Sequence, residues 1–392
     1  MPEFAAPTDV LNRLRRASVA LRVREPDSMF LSHVWFDACT ELWQDRAAFD
    51  VLELEGHGQE PVWALIGRKL EWRHKMLPVK VIALNQSCYP ALDQPWIEHN
   101  GLFGEPPAAF ERSLPNLFNE LLADPDWDEL RMPGLRADHA RQALYEAARL
   151  GLIARLDLEQ PSFNIDLECI RSNFGGDYLR ALSANTRQQL RRARRLAEQS
   201  LGALKIEEAQ DANEAIAWFT ETAPFHRARW GRSNSNTIDS GFDNPEFVRF
   251  HQLLIAKGFE NRSIQYLKCS AGGTTLAYLY NFVSGPRVHF YLSGVNYSID
   301  PAIKPGMLSH WLAIQRNLEA NRALYDFLAG DARYKRSLST NEDRTLWLVL
   351  RRPRLKLEME NRARRLKRRL FSEQNDSLEN VGLRCRPIRK SA

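Results

Sequence analysis

Apolar positions along this chain follow two periods. Val288, Phe290 and Leu292 alternate with His289, Tyr291 and Ser293, the two-residue period of a half-buried strand. After Pro305-Gly306, the residues Met307, Leu308, Trp311, Leu312, Ile314 and Leu318 recur at helical spacing, which predicts a helix from about Gly306. A second strand is predicted over Ala323 to Leu328. Upstream, strands at 263–269, 274–283 and 288–295 are separated by Gly272-Gly273 and Gly285-Pro286, as in an antiparallel meander. Helices are predicted before them at 212–219 and 247–257.

The first part of the chain is mixed in the same way. Residues 18–24 alternate, and Phe30 to Trp43 places Phe30, Leu31, Val34, Trp35, Ala38 and Leu42 on one side of a helix. Strands are predicted at 48–54, 61–68, 79–84, 130–132 and 153–158, and helices at 114–122 and 137–150. A closing strand is predicted at 345–350. The fold class is α/β (α+β), with mixed central sheets flanked by helices. At 392 residues the chain has room for two cores. The expected division is 17–170, 171–350, and a basic helix with a tail at 351–392.

Composition narrows the class. Hydrophobic residues make up 44% and charged residues 26%, proportions of a soluble globular chain. No apolar run approaches a membrane span and the N-terminus has no signal-like core, so the expected location is cytoplasmic. The five cysteines are scattered without a C-x-x-C pair, and the nine histidines form no H-E-x-x-H. No metal is therefore expected. The net charge of +5 is concentrated in Arg187 to Arg195 and in 351–370, where ten Lys and Arg face Glu358 and Glu360. The remainder is acidic, so no specific nucleic acid is expected as partner.

Candidate chemistry follows from the same positions. A small residue opening the helix at Gly306 leaves its first N–H groups uncovered, an anion site with Lys304 beside it. The alternative is an ordinary β-α-β unit whose glycine only caps a helix. Asp331, Tyr334 and Lys335 form an ionisable run just past the second strand. Arg187, Arg191 and Arg195 lie four apart on one helical stripe, which suits a diphosphate or another polyanion, or is a solvated face. His226 titrates near neutral pH and could serve as a base directly or through water, or satisfy a backbone carbonyl while Trp230 packs. Leu355, Met359, Ala363, Leu366 and Leu370 make a basic amphipathic helix. It could meet an anionic inner membrane or an acidic partner, or dock on the body of the protein.

Pro305-Gly306, followed by Asp326-Phe327-Leu328-Ala329-Gly330-Asp331-Ala332-Arg333-Tyr334-Lys335, resembles the C-terminal core of the GNAT acyltransferase superfamily. The nearest pattern is the branch related to FemAB aminoacyltransferases and the cellulose-biosynthesis CelD proteins. That resemblance implies two tandem GNAT-like domains, the first shaping an acceptor cleft. It implies an N-acyltransferase, most simply an acetyltransferase acting in polysaccharide (exopolysaccharide) or cell-envelope synthesis, with a small-molecule or saccharide acceptor. The donor it implies is acetyl-coenzyme A or another acyl-coenzyme A. Its diphosphate would meet Lys304, Gly306, Met307, Leu308 and Ser309, and its carbonyl the backbone at Ser293 and Val295. Tyr334 becomes the candidate acid, Asp331 and His226 candidate bases, and Lys335 a contact to acceptor or oxyanion. Arg187, Arg191, Arg195, Trp230 and Tyr280 become acceptor contacts. The usual GNAT diphosphate signature is replaced by Lys304-Pro305-Gly306. FemAB enzymes use aminoacyl-tRNA, which leaves that donor open, as it leaves a scaffold without chemistry.

Overall fold

The computed structural model of the protein describes residues 8–56, 60–230 and 240–362. Residues 231–239, the basic helix beyond 362 and the tail lie outside the described residues. The chain opens with α1 (Thr8–Leu21) and α2 (His33–Trp43), then β1 (Ala48–Glu55), β2 (Pro61–Arg73) and β3 (Leu77–Leu84). α3 (Phe110–Ala123), β4 (Glu129–Arg136), α4 (Ala137–Arg149) and the long β5 (Ile153–Asp166) complete the first half. After α5 (Leu167–Phe174) and α6 (Tyr178–Ala181) come α7 (Ala184–Ser200), β6 (Leu204–Glu208), α8 (Ala212–Trp230) and α9 (Pro245–Phe259). The second half continues as β7 (Ile264–Ala271), β8 (Thr274–Ser284), β9 (Arg287–Val295), α10 (Pro305–Glu319), β10 (Leu324–Ala329), α11 (Arg333–Leu338) and β11 (Asn341–Arg351). A last described helix, α12, covers 355–362.

All eleven strands join one sheet in the order β1-β2-β3-β4-β11-β5-β10-β9-β8-β7-β6. The two halves repeat one plan: an antiparallel meander, a helical crossover, then a parallel neighbour. The parallel pairs are β3 with β4 across α3, and β9 with β10 across α10. They then exchange their last strands. β11, from the second half, pairs with β4 and with β5 of the first, and β5 pairs in turn with β10. The fold is two halves of like plan fused through a shared pair of central strands.

Both faces of the sheet are covered. On one face Tyr266, Tyr280 and Phe282 pack with Trp35, Phe219 and Phe250 of α2, α8 and α9. On the other, Leu279, Val288, Phe290 and Tyr325 pack with Leu190 of α7 and Leu308 and Ile314 of α10. A separate core lies under α3 and α4 in the first half. The arginine helix α7 is capped by Ser183, whose Oγ accepts from Thr186 N–H at 3.2 Å.

Three elements differ from the sequence reading. Residues 18–21 are helical, because Val10, Ala17 and Leu21 place a buried stripe on α1 that outweighs the local alternation. β6 was not foreseen: its residues are only half-buried at a sheet edge, so its apolar alternation is weak. α8 runs on past Pro224 to Trp230, eleven residues beyond the predicted end. A proline inside a helix forfeits one hydrogen bond without always ending it.

Candidate functional site

The parallel strands β9 and β10 stay together for three residue pairs, Arg287 with Leu324, Val288 with Tyr325 and His289 with Asp326. They then diverge into a fork. On β9 the ladder to β8 slips at Tyr291, between the pairs Phe290–Asn281 and Leu292–Tyr280. On β10, Leu328 turns into the left-handed region at φ 59°, and pairing resumes with β5 at Ala329. A branched side chain there costs roughly 1–2 kcal/mol, and three buried groups hold it. Asp326 Oδ1 accepts from Leu328 N–H at 2.7 Å, and Glu98 Oε2 accepts from Ala329 N–H at 2.7 Å. Lys335 Nζ donates to the carbonyl oxygens of Ala329 (2.6 Å) and Leu328 (3.3 Å).

Asn296 N–H donates to Leu276 on β8. Ladder alternation then turns the N–H groups of Ser293 and Val295 away from β8, toward the fork. At its mouth α10 begins. A Cβ built on Gly306 would lie 3.5 Å from Val295, so the end of β9 and the first turn of α10 are neighbours. The N-cap Lys304, itself left-handed, offers no side-chain cap. Pro305 has no N–H, which leaves the Gly306 and Met307 donors unclaimed at the positive end of a fifteen-residue helix. Leu308 is a correction: its N–H donates to Lys304 O at 3.0 Å and its side chain is core. Ser309 is also turned inward, fully buried. Neither presents a side chain to an anion.

The equivalent fork in the first half is filled. β3 and β4 also share three pairs, ending at Ala83–Arg131. Beyond them, Asn100 Nδ2 donates to Leu84 O of β3 (3.1 Å) and to Pro133 O of β4 (2.9 Å). Its Oδ1 accepts from Asn85 Nδ2 at 2.8 Å. The loop carrying Asn100 comes so close that a Cβ on Gly134 would stand 2.2 Å from Ile97 O. Asn100 bolts the first-half fork shut, and no side chain among the described residues makes hydrogen bonds to both strands of the β9–β10 fork.

Of the expected catalytic residues, Tyr334 stands best. Its ring stacks on His310 at 5.2 Å and lies beside Phe327. Its hydroxyl has no hydrogen-bond partner among the described residues, and burial raises its pKa, keeping the phenol protonated. His226 is held neutral, its pKa pushed down by burial to about 4, and its Nδ1 shares a hydrogen bond with Ser240 Oγ at 2.8 Å. Trp230, at the end of the same helix, is exposed beside Arg229, whose guanidinium also covers Tyr297 at 5.6 Å.

The remaining expectations are corrected. Asp331 is exposed and ion-paired with Arg336 at 2.6 Å. Lys335 is buried and spends its donors on the β10 bulge. Tyr280 lies in the aromatic core, stacked on Tyr266 at 5.0 Å, and touches no cleft. Arg191 and Arg195 are exposed, without an ion pair among the described residues, on the side of α7 away from its buried Thr186, Leu190, Ala193 and Ala197. Arg187 reaches Leu179 O at 3.5 Å. Two of the three arginines of the stripe are thus open to solvent, and the third is tied to the backbone.

Sequence reasoning missed a buried cluster at the foot of the open fork. His289 and Asp326, the last shared pair, meet His99 from the loop before α3. His99 Nε2 is 3.3 Å from Asp326 Oδ2, and the two imidazoles lie 5.2 Å apart. The polar triplet Glu98-His99-Asn100, between the apolar Ile97 and Gly101, was the available signal.

A fused α/β sheet with a strand fork beside a bare helix start is the arrangement to set against known proteins. Residues 184–336 match the family model described as an acetyltransferase (GNAT) domain. That match covers α7 to α11, the elements that build the open fork. No curated protein sequence matches the chain. Among solved structures, the chain is similar to FemX at 10% identity, covering 85% of this chain and 95% of that one, with a TM-score of 0.54. It is similar to L-PGS from Bacillus licheniformis at 10% identity, over 94% and 98% of the two chains, with a TM-score of 0.51. A conserved protein of unknown function from Bacteroides thetaiotaomicron is 9% identical over 90% and 100%, with a TM-score of 0.51. Such identities establish a shared fold extending over nearly the whole chain.

Proposed function

We propose that the protein is an N-acyltransferase that moves an acyl group, most simply acetyl, from a coenzyme A thioester to an amine acceptor. The observation that carries this reading is the open β9–β10 fork beside the uncapped start of α10. The diphosphate of the donor meets the N–H groups of Gly306 and Met307 with Lys304 beside them, and the acyl arm enters the fork. There the Ser293 and Val295 N–H groups face the thioester carbonyl and stabilise the oxyanion that forms on it.

The acceptor nitrogen attacks the carbonyl carbon, the C–N bond forms, and the C–S bond breaks. The amine proton passes through water to His226, which burial keeps unprotonated. The departing thiolate takes a proton from Tyr334. The first half, its own fork closed by Asn100, contributes the wall of the acceptor cleft. An acceptor from polysaccharide or envelope synthesis fits the family resemblance.

Calorimetric titration with acetyl-coenzyme A, and separately with a charged tRNA, tests the donor. Binding of the thioester that weakens at least tenfold in Lys304→Glu is the expected result. Binding of the charged tRNA alone would replace the donor, and binding of neither would leave a fold without this chemistry.

A further inference from the structure

His99, His289 and Asp326 come from three separate segments, and each offers one ligand atom such that all three atoms lie within 4.8 Å of one another. The cluster lies at the edge of the interior: His289 is 0% and Asp326 4% exposed, and the His99 side chain 11%. Among the described residues, both ring nitrogens of His289 and the Nδ1 of His99 have no hydrogen-bond partner. A buried polar atom left without a partner costs about 1–3 kcal/mol; His99 turns its other nitrogen, Nε2, to the Asp326 carboxylate, and His289 brings one of its two unpartnered nitrogens to the same place. His99 is also held in the left-handed region, at φ 50°. The charges around the cluster are paired: Asp27 lies between Arg136 (3.3 Å) and Arg287 (3.2 Å), Asp138 is a second carboxylate 3.8 Å from Arg136, and Lys335 faces Glu98.

We propose that His99, His289 and Asp326 bind one divalent transition-metal ion, which clamps the loop of the first half onto the foot of the open fork. Two imidazoles and one carboxylate suit zinc, cobalt or iron in the divalent state. Magnesium and calcium, which favour all-oxygen shells, are not matched. The cation accepts the lone pairs that the structure leaves unused. His289 and Asp326 are the last residues that β9 and β10 share, so the ion sits where the strands part. It ties that point to a loop whose neighbour Asn100 bolts the other fork. The inference stands on the cluster alone and does not depend on acyl transfer.

The test is Co2+ and Zn2+ binding to the full chain after chelation and dialysis, with no substrate present. One Co2+ per chain is expected, with visible d–d absorption of a nitrogen- and oxygen-ligated site, displaced by Zn2+ and accompanied by a rise in Tm. Removing a hydrogen-bond partner of a metal ligand already costs about 10–100-fold in affinity, so loss of a ligand in His99→Gln or in Asp326→Asn weakens binding at least tenfold. His74→Gln, at an exposed histidine, leaves it unchanged. No stoichiometric binding overturns the proposal, as does binding insensitive to both site variants. X-ray absorption of the wild-type zinc form covers the case in which a variant fails to fold. Two imidazole scatterers support the site, and none or one rejects it.

Discussion

Lys335 Nζ lies 2.6 Å from the carbonyl oxygen of Ala329, the residue whose N–H is held by Glu98. The lysine and the glutamate thus grip one peptide segment from both sides. Burial lowers the lysine pKa, and Glu98 and Asp326 oppose that shift. Its work is to hold the bulge that opens the fork. Lys335→Met should lower stability by roughly 3 kcal/mol, the scale for removing one partner of a buried charge pair. Urea denaturation measures it. A variant of unchanged stability with only a raised acceptor KM would return Lys335 to the acceptor-contact role first expected.

Asn100 supplies the bridge that the first-half ladder lacks, joining Leu84 O and Pro133 O. Asn100→Ala leaves two buried carbonyls without donors and should cost about 2–3 kcal/mol. Asn100→Asp should cost more, because it sets a carboxylate against the same two oxygens. Thermal and urea unfolding rank the two variants. If Asp is the milder change, the hydrogen-bond direction assigned to the side chain is wrong.

Sequence reading carried the fold a long way. Alternation at 288–292, the Pro305-Gly306 break and the helical spacing after it located β9 and α10 nearly to the residue, because each is set by local period. Strand exchange had no such signal. β11 reads as a closing strand whether it pairs within its own half or lies between β4 and β5, since pairing partners are not encoded in a two-residue period. The site divides along the same line. Tyr334 was visible from its place after a strand. The burial of Tyr280 and the inward turn of Lys335 depend on α2, α9 and the loop at 97–101, all distant in sequence. The polar triplet at 98–100 marks His99 but does not say what it meets, because its partners are 190 and 227 residues away along the chain.

Tyr334→Phe removes a hydroxyl that bonds to nothing in the described structure while keeping the ring on His310. Stability should change by less than about 0.5 kcal/mol, the usual range for a change that breaks no contact. As general acid, the group should be worth about 100-fold in kcat, with acetyl-coenzyme A affinity unchanged. Once an acceptor is known, steady-state kinetics read the split. An unchanged kcat would remove Tyr334 from the chemistry.

His251 lies wholly inside an aromatic cage, 4.3 Å from the Phe247 ring and 5.6 Å from Tyr280, and neither of its nitrogens has a partner. Burial pushes its pKa down to about 3, against an ordinary value near 6.5. The unfolded chain therefore binds a proton at His251 that the folded chain refuses. Stability from this site is complete above about pH 6.5 and is lost as the pH falls toward 3, at roughly 1.4 kcal/mol per unit. Between pH 7 and pH 5 the loss comes to about 2 kcal/mol. His251→Phe keeps a flat ring in the cage and removes the proton site. At pH 7 the variant should match the parent within about 1 kcal/mol, the small excess of ring volume offsetting the two unpaired nitrogens. At pH 5 it should be the more stable by about 2 kcal/mol. Urea midpoints of both proteins at the two pH values give the comparison. Parallel pH curves would show that His251 is solvated or hydrogen-bonded, contrary to its place in the core.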